Sequence, residues 1–407
     1  MQLLRLNLQD FRNLQGQTPQ SPLQWTPHPR FNLLVGDNGQ GKTNLLEAVA
    51  ILAGLKSFRT VKLPECLAFG RKTAALSATV ASAGLTCQLG VEIGLKGKRL
   101  LVDGKQPATM AGFLGRLTAV LFTAADLQLP HAEPEARRRW LDRLVFNHLP
   151  AHLDEIRRYD QALHSKNHLL RAAAHSAGRV DAAMLDVYDG LLARHGAEIM
   201  SRRATVLAQF SPLVAEIFGQ IAATGLTADA CYRPKVIANP DAHTALLAAQ
   251  SQRRDRDVRV GYTTGGPHRD DVDFRVAGMP AHLHASQGQC RALVLACKIA
   301  EIKSLERALG EPPLLLMDDI SSELDAKRNT ALMHYLDQLG GQVVLTTTAA
   351  DHVRVAAPRQ IFTLVAGQVV AGAVLGEAPA VARGTQGSLD LHGHAQGDPK
   401  KSADQNS

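Results

Sequence analysis

An α/β fold is predicted, a mixed sheet around a P-loop with an inserted, mainly helical lobe, and three observations carry it. The run FNLLV at 31–35 meets GDNGQGKTN at 36–44 and then NLLEAVAIL, which is a buried strand, a glycine-rich turn and a helix in succession. Between about 131 and 257 the apolar spacing turns helical, as in Trp140, Leu141, Leu144 and Val145. Short buried runs then return at PLLLMDD, 313–319, and QVVLTTT, 342–348.

In chain order, LLRLNLQDF alternates Leu4, Leu6 and Leu8 on one side, the period of a half-buried strand, and RFNLLV is a second strand. TAALSATVAS, LTCQLGVEIGL and KRLLVDG, punctuated by Gly84, Gly97 and Gly104, predict an antiparallel patch, and LTAVLF at 117–122 closes the first section. After the helical stretch, VRVGYTT and DVDFRVAG read as a hairpin, followed by a helix from about 287, the strand PLLLMDD, another helix, and the strands QVVLTTT and QIFTLVAGQVV. From 377 the chain thins to Gly, Ser, Asp, Gln and Lys, which predicts a disordered tail with His392 and His394 solvated in it.

With 407 residues and 45% hydrophobic content the chain folds around a large core. Lys and Arg number 45 against 38 Asp and Glu, a mildly basic balance that suits a polyanion binder without requiring one. Five cysteines without a CxxC pair suggest neither zinc nor a disulfide framework. The N-terminal region has no apolar h-region, and no window nears 18 uninterrupted apolar residues, so a cytoplasmic chain without membrane attachment is expected.

Gly36-x-x-x-x-Gly41-Lys42-Thr43 has the P-loop spacing. Backbone N–H groups of Gly36, Asp37, Asn38, Gly39, Gln40 and Gly41 would turn onto ATP phosphate oxygens; Lys42 adds a mobile charge, and Thr43 a hydroxyl for Mg2+. A neighbouring strand must supply a carboxylate, and Asp318 follows four apolar residues. Asp319 either orients or deprotonates the attacking water or simply caps the next turn. Ser286, Gly288 and Gln289 open a later helix and form a second anion site. The simplest geometry gives these to the γ-phosphate held by another copy, an ATP-dependent homodimer; a plain capping box of Ser286 and Gln289 is compatible with that role. Asp325 either meets the partner's site or supplies charge to a helix start.

Arg137, Arg138, Arg139 and Arg143, then Arg157, Arg158, Lys166 and Arg171, give the helical lobe a basic face for DNA, or else a solvated face screened by Asp142. Arg59 in KSFRT serves nucleotide, DNA or neither. GPHRDD at 266–271 reads as a connecting turn rather than a metal cluster. An aromatic content of 4% favours backbone contacts over base stacking.

The P-loop, SQGQ and DD…SELD resemble the ABC-type ATPase heads of the SMC family, and no heptad run predicts a coiled coil. LNLQDFRNL, GDNGQGKTNLLEAV, KSFRT, VLFTAADLQL with RRRWLD, GPHRDD, SQGQ and LLMDDISSELD are similar to the RecF branch of that family, in its order, over residues 3–348. The resemblance implies an ABC-type ATPase lobe at 1–130 and 258–376, a helical lobe at 131–257, and a DNA-binding ATPase of recombinational repair in the SOS response. It further implies dimerisation with ATP, slow hydrolysis, and loading of recombinase at gapped, duplex or junction DNA with RecO and RecR. FTAADL lacks the family's Pro-Glu pair near Asp126 and Gln128, and Asp319 stands where much of the wider class has Glu. A transporter ATPase subunit fits less well, because Gln287 replaces its second signature glycine, and an SMC-like scaffold would need heptads.

Overall fold

Alternation along the N-terminal strand builds the first layer. The computed structural model describes residues 1–18, 21–175, 181–222, 225–239, 241–353 and 355–376, so the expected tail with its two histidines lies outside the described residues. β1 (Gln2–Gln9), β2 (Leu23–Trp25), β3 (Phe31–Val35) and α1 (Lys42–Gly54) come first, followed by β4 (Thr73–Ser82), β5 (Leu85–Gly94), β6 (Gly97–Val102) and β7 (Ala119–Thr123). β1 buries Leu3, Leu6 and Leu8, whereas Leu4 is exposed; the β1–β4 pairing shifts register between Leu3 and Arg5, and that bulge moves the first inward position from Leu4 to Leu3. The resulting antiparallel sheet has the order β2-β1-β4-β5-β6.

The middle of the chain is α2 (Pro134–His148), α3 (His152–His175), α4 (Ala182–Ala222), β8 (Ala228–Arg233) and α5 (Ala242–Val260). Then come β9 (Asp271–Val276), β10 (Met279–Pro280), α6 (Ala281–His284), α7 (Gln287–Leu309), β11 (Leu314–Asp318), α8 (Ile320–Glu323) and α9 (Ala326–Gln338). β12 (Val343–Thr347), β13 (Arg359–Val365) and β14 (Gln368–Leu375) complete it. The expected hairpin of VRVGYTT with DVDFRVAG does not form. Val258 to Val260 continue α5, which stops only where Gly261 takes a left-handed cap at φ 75°; β9 pairs instead with β8 and β10.

The central sheet runs β14-β13-β3-β12-β11-β7, with β13 through β7 parallel and β14 antiparallel at the edge. Its faces are separated by strand alternation. Leu33, Val120, Leu315 and Leu345 point into a core shared with α7, while Leu34, Leu121, Leu316 and Val344 point into one shared with α1 and the antiparallel sheet. α1 is therefore enclosed between two sheets, and Gln342 ties them by accepting from Leu3 N at 2.8 Å and donating to Leu3 O at 3.1 Å.

The helical stretch is continuous with the α7 core: Trp140 meets Phe210 and Phe274 edge-on, at ring centroid separations of 5.7 and 5.1 Å. α4 has the length and apolarity of a membrane span, but it places Leu192, Ile199, Phe210 and Phe218 in the protein interior.

Candidate functional site

The phosphate loop leaves β3 at the carboxyl ends of the parallel strands. Gly41 caps α1 at φ 108°, and a Cβ there would lie 2.9 Å from Leu14 Cδ2, so only glycine fits the turn. Lys42 is buried and donates from Nζ to Gly36 O and, at 3.0 Å, to Asp37 O, which folds the ammonium over the loop. Thr43 Oγ1 donates to Asp318 Oδ1 at 2.8 Å, and Thr346 Oγ1 donates to the same oxygen at 2.9 Å.

Asp318 was expected on a strand adjacent to the P-loop strand. β12 stands between β3 and β11, and the Thr43 side chain closes the gap. One hydroxyl and one carboxylate converging on a point, both hard oxygen donors, fit a magnesium ion that takes its remaining ligands from phosphates and water. Among the described residues no cluster of three or more His, Cys, Asp or Glu forms an all-protein metal site.

Asp319 occupies the N-cap position of α8 with φ 52°, and its carboxylate makes no capping hydrogen bond to that helix. Its backbone N donates to Thr346 Oγ1 at 2.9 Å, so the residue is fixed beside Asp318 by its main chain.

Ser286, Gly288 and Gln289 open α7. Ser286 Oγ accepts from Gln289 N at 3.2 Å, and Ser286 N donates to Gln289 Oε1 at 2.8 Å, a complete capping box. The Ser286 O–H keeps its own donor for an outside acceptor. Gly288 faces Arg328, since a Cβ there would come within 2.8 Å of Arg328 Nη2. Asp325 caps α9 by accepting from Arg328 N at 2.9 Å and also pairs with the Arg328 side chain.

These signature residues sit on the α7 face of the central sheet, opposite α1. Lys298, midway along α7, donates to Leu121 O at 2.7 Å. Arg291, in the first turns of α7, donates to Glu323 O beyond the end of β11, so the start of α7 lies at the carboxyl ends of the strands.

A brace around the loop went unread in the sequence. Glu47 on α1 is fully buried and takes Arg12 Nε and Nη2 at 2.9 and 2.8 Å, and Ser57 Oγ also bonds to it. Hydrogen bonds from Arg12 and Ser57 hold its pKa below the ordinary glutamate value against the opposing effect of burial, which is the largest influence. Asn13 Nδ2 donates to Gly39 O at 3.1 Å, Asn44 donates to Asn13 Oδ1 at 2.6 Å, and Ala366 N donates to Gln40 Oε1 at 2.6 Å. Arg59 bonds Asn44 and lies 3.8 Å from Glu47, so it belongs to this cluster with its side chain half exposed.

The basic face of the helical stretch is narrower than expected. Arg138 donates to Asp270 O at 2.8 Å, Arg143 lies 3.0 Å from Asp126, Arg137 grips Asp271 in a two-point pair, and Lys166 is buried 2.6 Å from Asp189. Of the arginines expected at DNA, Arg138 and Arg143 are half-buried, whereas Arg59, Arg157, Arg158, Arg171 and Arg139, the last 2.5 Å from Glu135 one turn away, are exposed. Asp142 does not screen Arg138; it binds Arg203 through both oxygens at 2.8 Å. Asp126, in the FTAADL segment that lacks the family's Pro-Glu pair, is turned inward between Arg143 and Lys298, and those cations outweigh burial to hold its pKa at about 2. In GPHRDD, His268 meets Tyr159 at 2.6 Å and is pushed down to about 4 mainly by burial, while Asp270 receives Tyr232 and, at 2.8 Å, Lys235 N. The segment is a buried polar junction leading into β9.

The family described as RecF/RecN/SMC N terminal domain matches residues 2–369. The DNA replication and repair protein RecF of Myxococcus xanthus is 44% identical over 364 residues, 88% of this chain and 93% of the relative. This chain belongs to the RecF family. RecF of Geobacter sulfurreducens is 38% identical over 329 residues, 80% of this chain and 88% of its own. A solved structure of the recombination mediator protein RecF-ATP in the RecFOR pathway superposes with a TM-score of 0.81 at 26% identity, covering 91% of this chain and 97% of that one. An Smc head bound to the C-winged helix domain of ScpA, with a TM-score of 0.54 at 15% identity over 91% of this chain and 97% of its own, shares the fold. The fold is therefore that of the ABC-type ATPase heads, with a mixed sheet and a helical lobe.

Proposed function

We propose that this RecF-family chain is an ATP-gated, DNA-binding mediator of recombinational repair, in which two copies close around two ATP molecules. The carrying observation is the placement of Thr43 and Asp318 in contact on one face of the central sheet while Ser286 opens α7, the helix that packs on the other face. A phosphate held by Lys42 and the loop amides then needs its outer contacts from another copy, whose Ser286 hydroxyl and Gly288 N–H form an anion site, with Gln289 holding Ser286 in place through the capping box. Asp325 is positioned to join that contact at the start of α9.

Thr43 and Asp318 would hold magnesium, which supplies neutralisation of charge on the β- and γ-phosphates. Asp319 then orients the attacking water and accepts its proton. A carboxylate one methylene shorter than glutamate reaches less far, which supports slow hydrolysis that times release. The division into an ATPase lobe at 1–130 and 258–376 and a helical lobe at 131–257 remains part of this reading, with Arg139 as an exposed DNA contact. Cytoplasmic action with RecO and RecR in loading recombinase is supported by the family and by the RecFOR pathway in which the solved relative is placed.

Titration of labelled duplex, single-stranded and gapped DNA with ATP, ADP or no nucleotide tests the gating. Tighter binding with ATP is expected, and equal affinity in all three states would overturn it.

A further inference from the structure

The charges that remain unspent gather elsewhere in the helical stretch. A cavity of about 470 Å3 opens between α3, α4 and the start of α5, lined by Arg158, Arg194, Arg202 and two histidines, with Glu155 and Glu198 as its carboxylates. Both carboxylates are engaged: Glu155 lies 2.8 Å from His195 Nδ1, and Glu198 lies 3.3 Å from Arg202 Nη2. The other terminal nitrogen of Arg202, Nη1, is buried and makes no hydrogen bond. Arg158 and Arg194 are exposed, and among the described residues neither has an ion-pair partner.

The positive charge continues toward the nucleotide side. Arg157, beside Arg158 on α3, neighbours Lys56 and Lys98, and Lys98 Nζ donates to Leu55 O at the end of α1 at 3.0 Å. Burial of that ammonium tip, then the like charges of Lys56 and Arg157, hold the Lys98 pKa below its ordinary value. Arg157 lies 3.8 Å from Asp154, but Arg158 and Arg194 have no such pair among the described residues, and adjacent cations without carboxylates are unfavourable until a polyanion lies along them. Guanidinium forks match phosphate oxygens in two-point hydrogen bonds. No Phe, Tyr or Trp lines the cavity, so it offers no stacking platform for bases.

We infer that this groove, with Arg158 and Arg194 as its free cations, binds the sugar-phosphate backbone of DNA. The inference rests on the DNA-binding reading above and adds a surface to it, since Arg138 and Arg143 are half-buried and engaged by Asp270 O and Asp126. The strip ends at the carboxyl terminus of the phosphate-loop helix, which gives bound DNA a physical route to that helix.

The test is an Arg158→Ala/Arg194→Ala double variant of the full chain, titrated with a fluorescein-labelled duplex in ATP across a salt series. Each lost phosphate contact lowers the slope of log affinity against log salt by about 0.9, so a fall of about 1.8 is expected, with affinity reduced on the order of 10-fold or more. ATP affinity and thermal midpoint should match wild type, since both side chains are exposed. The Arg158→Lys/Arg194→Lys variant keeps the charge and should restore most of the slope. Unchanged slope and affinity in the alanine variant, with wild type binding DNA normally, would overturn the groove while leaving ATP gating in place. Loss of inorganic phosphate binding without any change in DNA binding would likewise overturn it, by assigning the groove to a free anion. A wild type that binds no DNA in any nucleotide state would remove both readings.

Discussion

The cradle and the signature are built in opposite ways. Around the phosphate loop nearly every functional side chain leans on another part of the chain: Thr43 on Asp318, Asn13 on Gly39, Gln40 on Ala366, and Glu47 on Arg12. At the signature, Ser286 bonds only within its own first turn to Gln289, and Asp325 bonds to Arg328 of the helix it caps. The cradle is held by long-range contacts before any nucleotide arrives, which reduces the ordering cost of binding. The signature is two helix starts with donors directed outward, so its recognition depends on something brought to it.

The largest test of this difference is Glu47→Ala. Removing a buried carboxylate leaves Arg12 without its partner, and breaking such a pair costs on the order of 3 kcal/mol. Urea unfolding should show that loss, together with weaker ATP binding; a variant of wild-type stability would mean the brace is ornamental. Lowering the pH asks the same of the contacts around α2, where ion pairs hold Asp126 and Asp142 at about 2. Both folded values are depressed, so their stabilisation is complete above the unfolded carboxylate range near 4 and disappears as pH falls from about 4 toward 2. Each should contribute about 2 kcal/mol. Asp142→Asn should flatten that part of the acid unfolding profile, and a profile identical to wild type would remove the assignment. Smallest is Ser286→Ala, which loses one capping bond worth about 1 kcal/mol at the start of α7. Hydrogen exchange should increase in that turn alone, with ATP affinity in the single chain unchanged.

The sequence made the cradle legible because its parts are local. Lys42 and Thr43 follow a strand by fixed spacing, and Asp318 ends a run of apolar residues, so each could be read without knowing a distant partner. Arg12 and Asn13 lie in another loop and gave no such signal. Glu47 did give one, as a lone acid on the apolar helix NLLEAVAIL, where a buried carboxylate demands a cation. The arginine face misled for the same reason in reverse. Arg138 and Arg143 find their partners, Asp270 O and Asp126, only through tertiary contact, so a cation-rich helix looked unspent. Local propensity also failed at 258–264, where β-branched residues suggested a strand but a helix already running from Ala242 reached Gly261 first. The β1 bulge that exchanges Leu4 for Leu3 depends on pairing with β4, which strict alternation cannot show.

The composite site between copies is tested most directly by mixing two inactive chains. Lys42→Ala should lose ATP affinity on the order of 100-fold, through a charged hydrogen-bond donor removed from the phosphates. Ser286→Arg should bind ATP normally but block the partner's γ-phosphate. In the mixed pair, one site joins the intact cradle of the Ser286→Arg chain to the intact signature of the Lys42→Ala chain. Light scattering with ATP should therefore give monomer mass for either variant alone and a dimer fraction for the mixture. Monomer in the mixture, with wild type dimeric under the same conditions, or dimers from Ser286→Arg alone, would contradict a site shared between two copies.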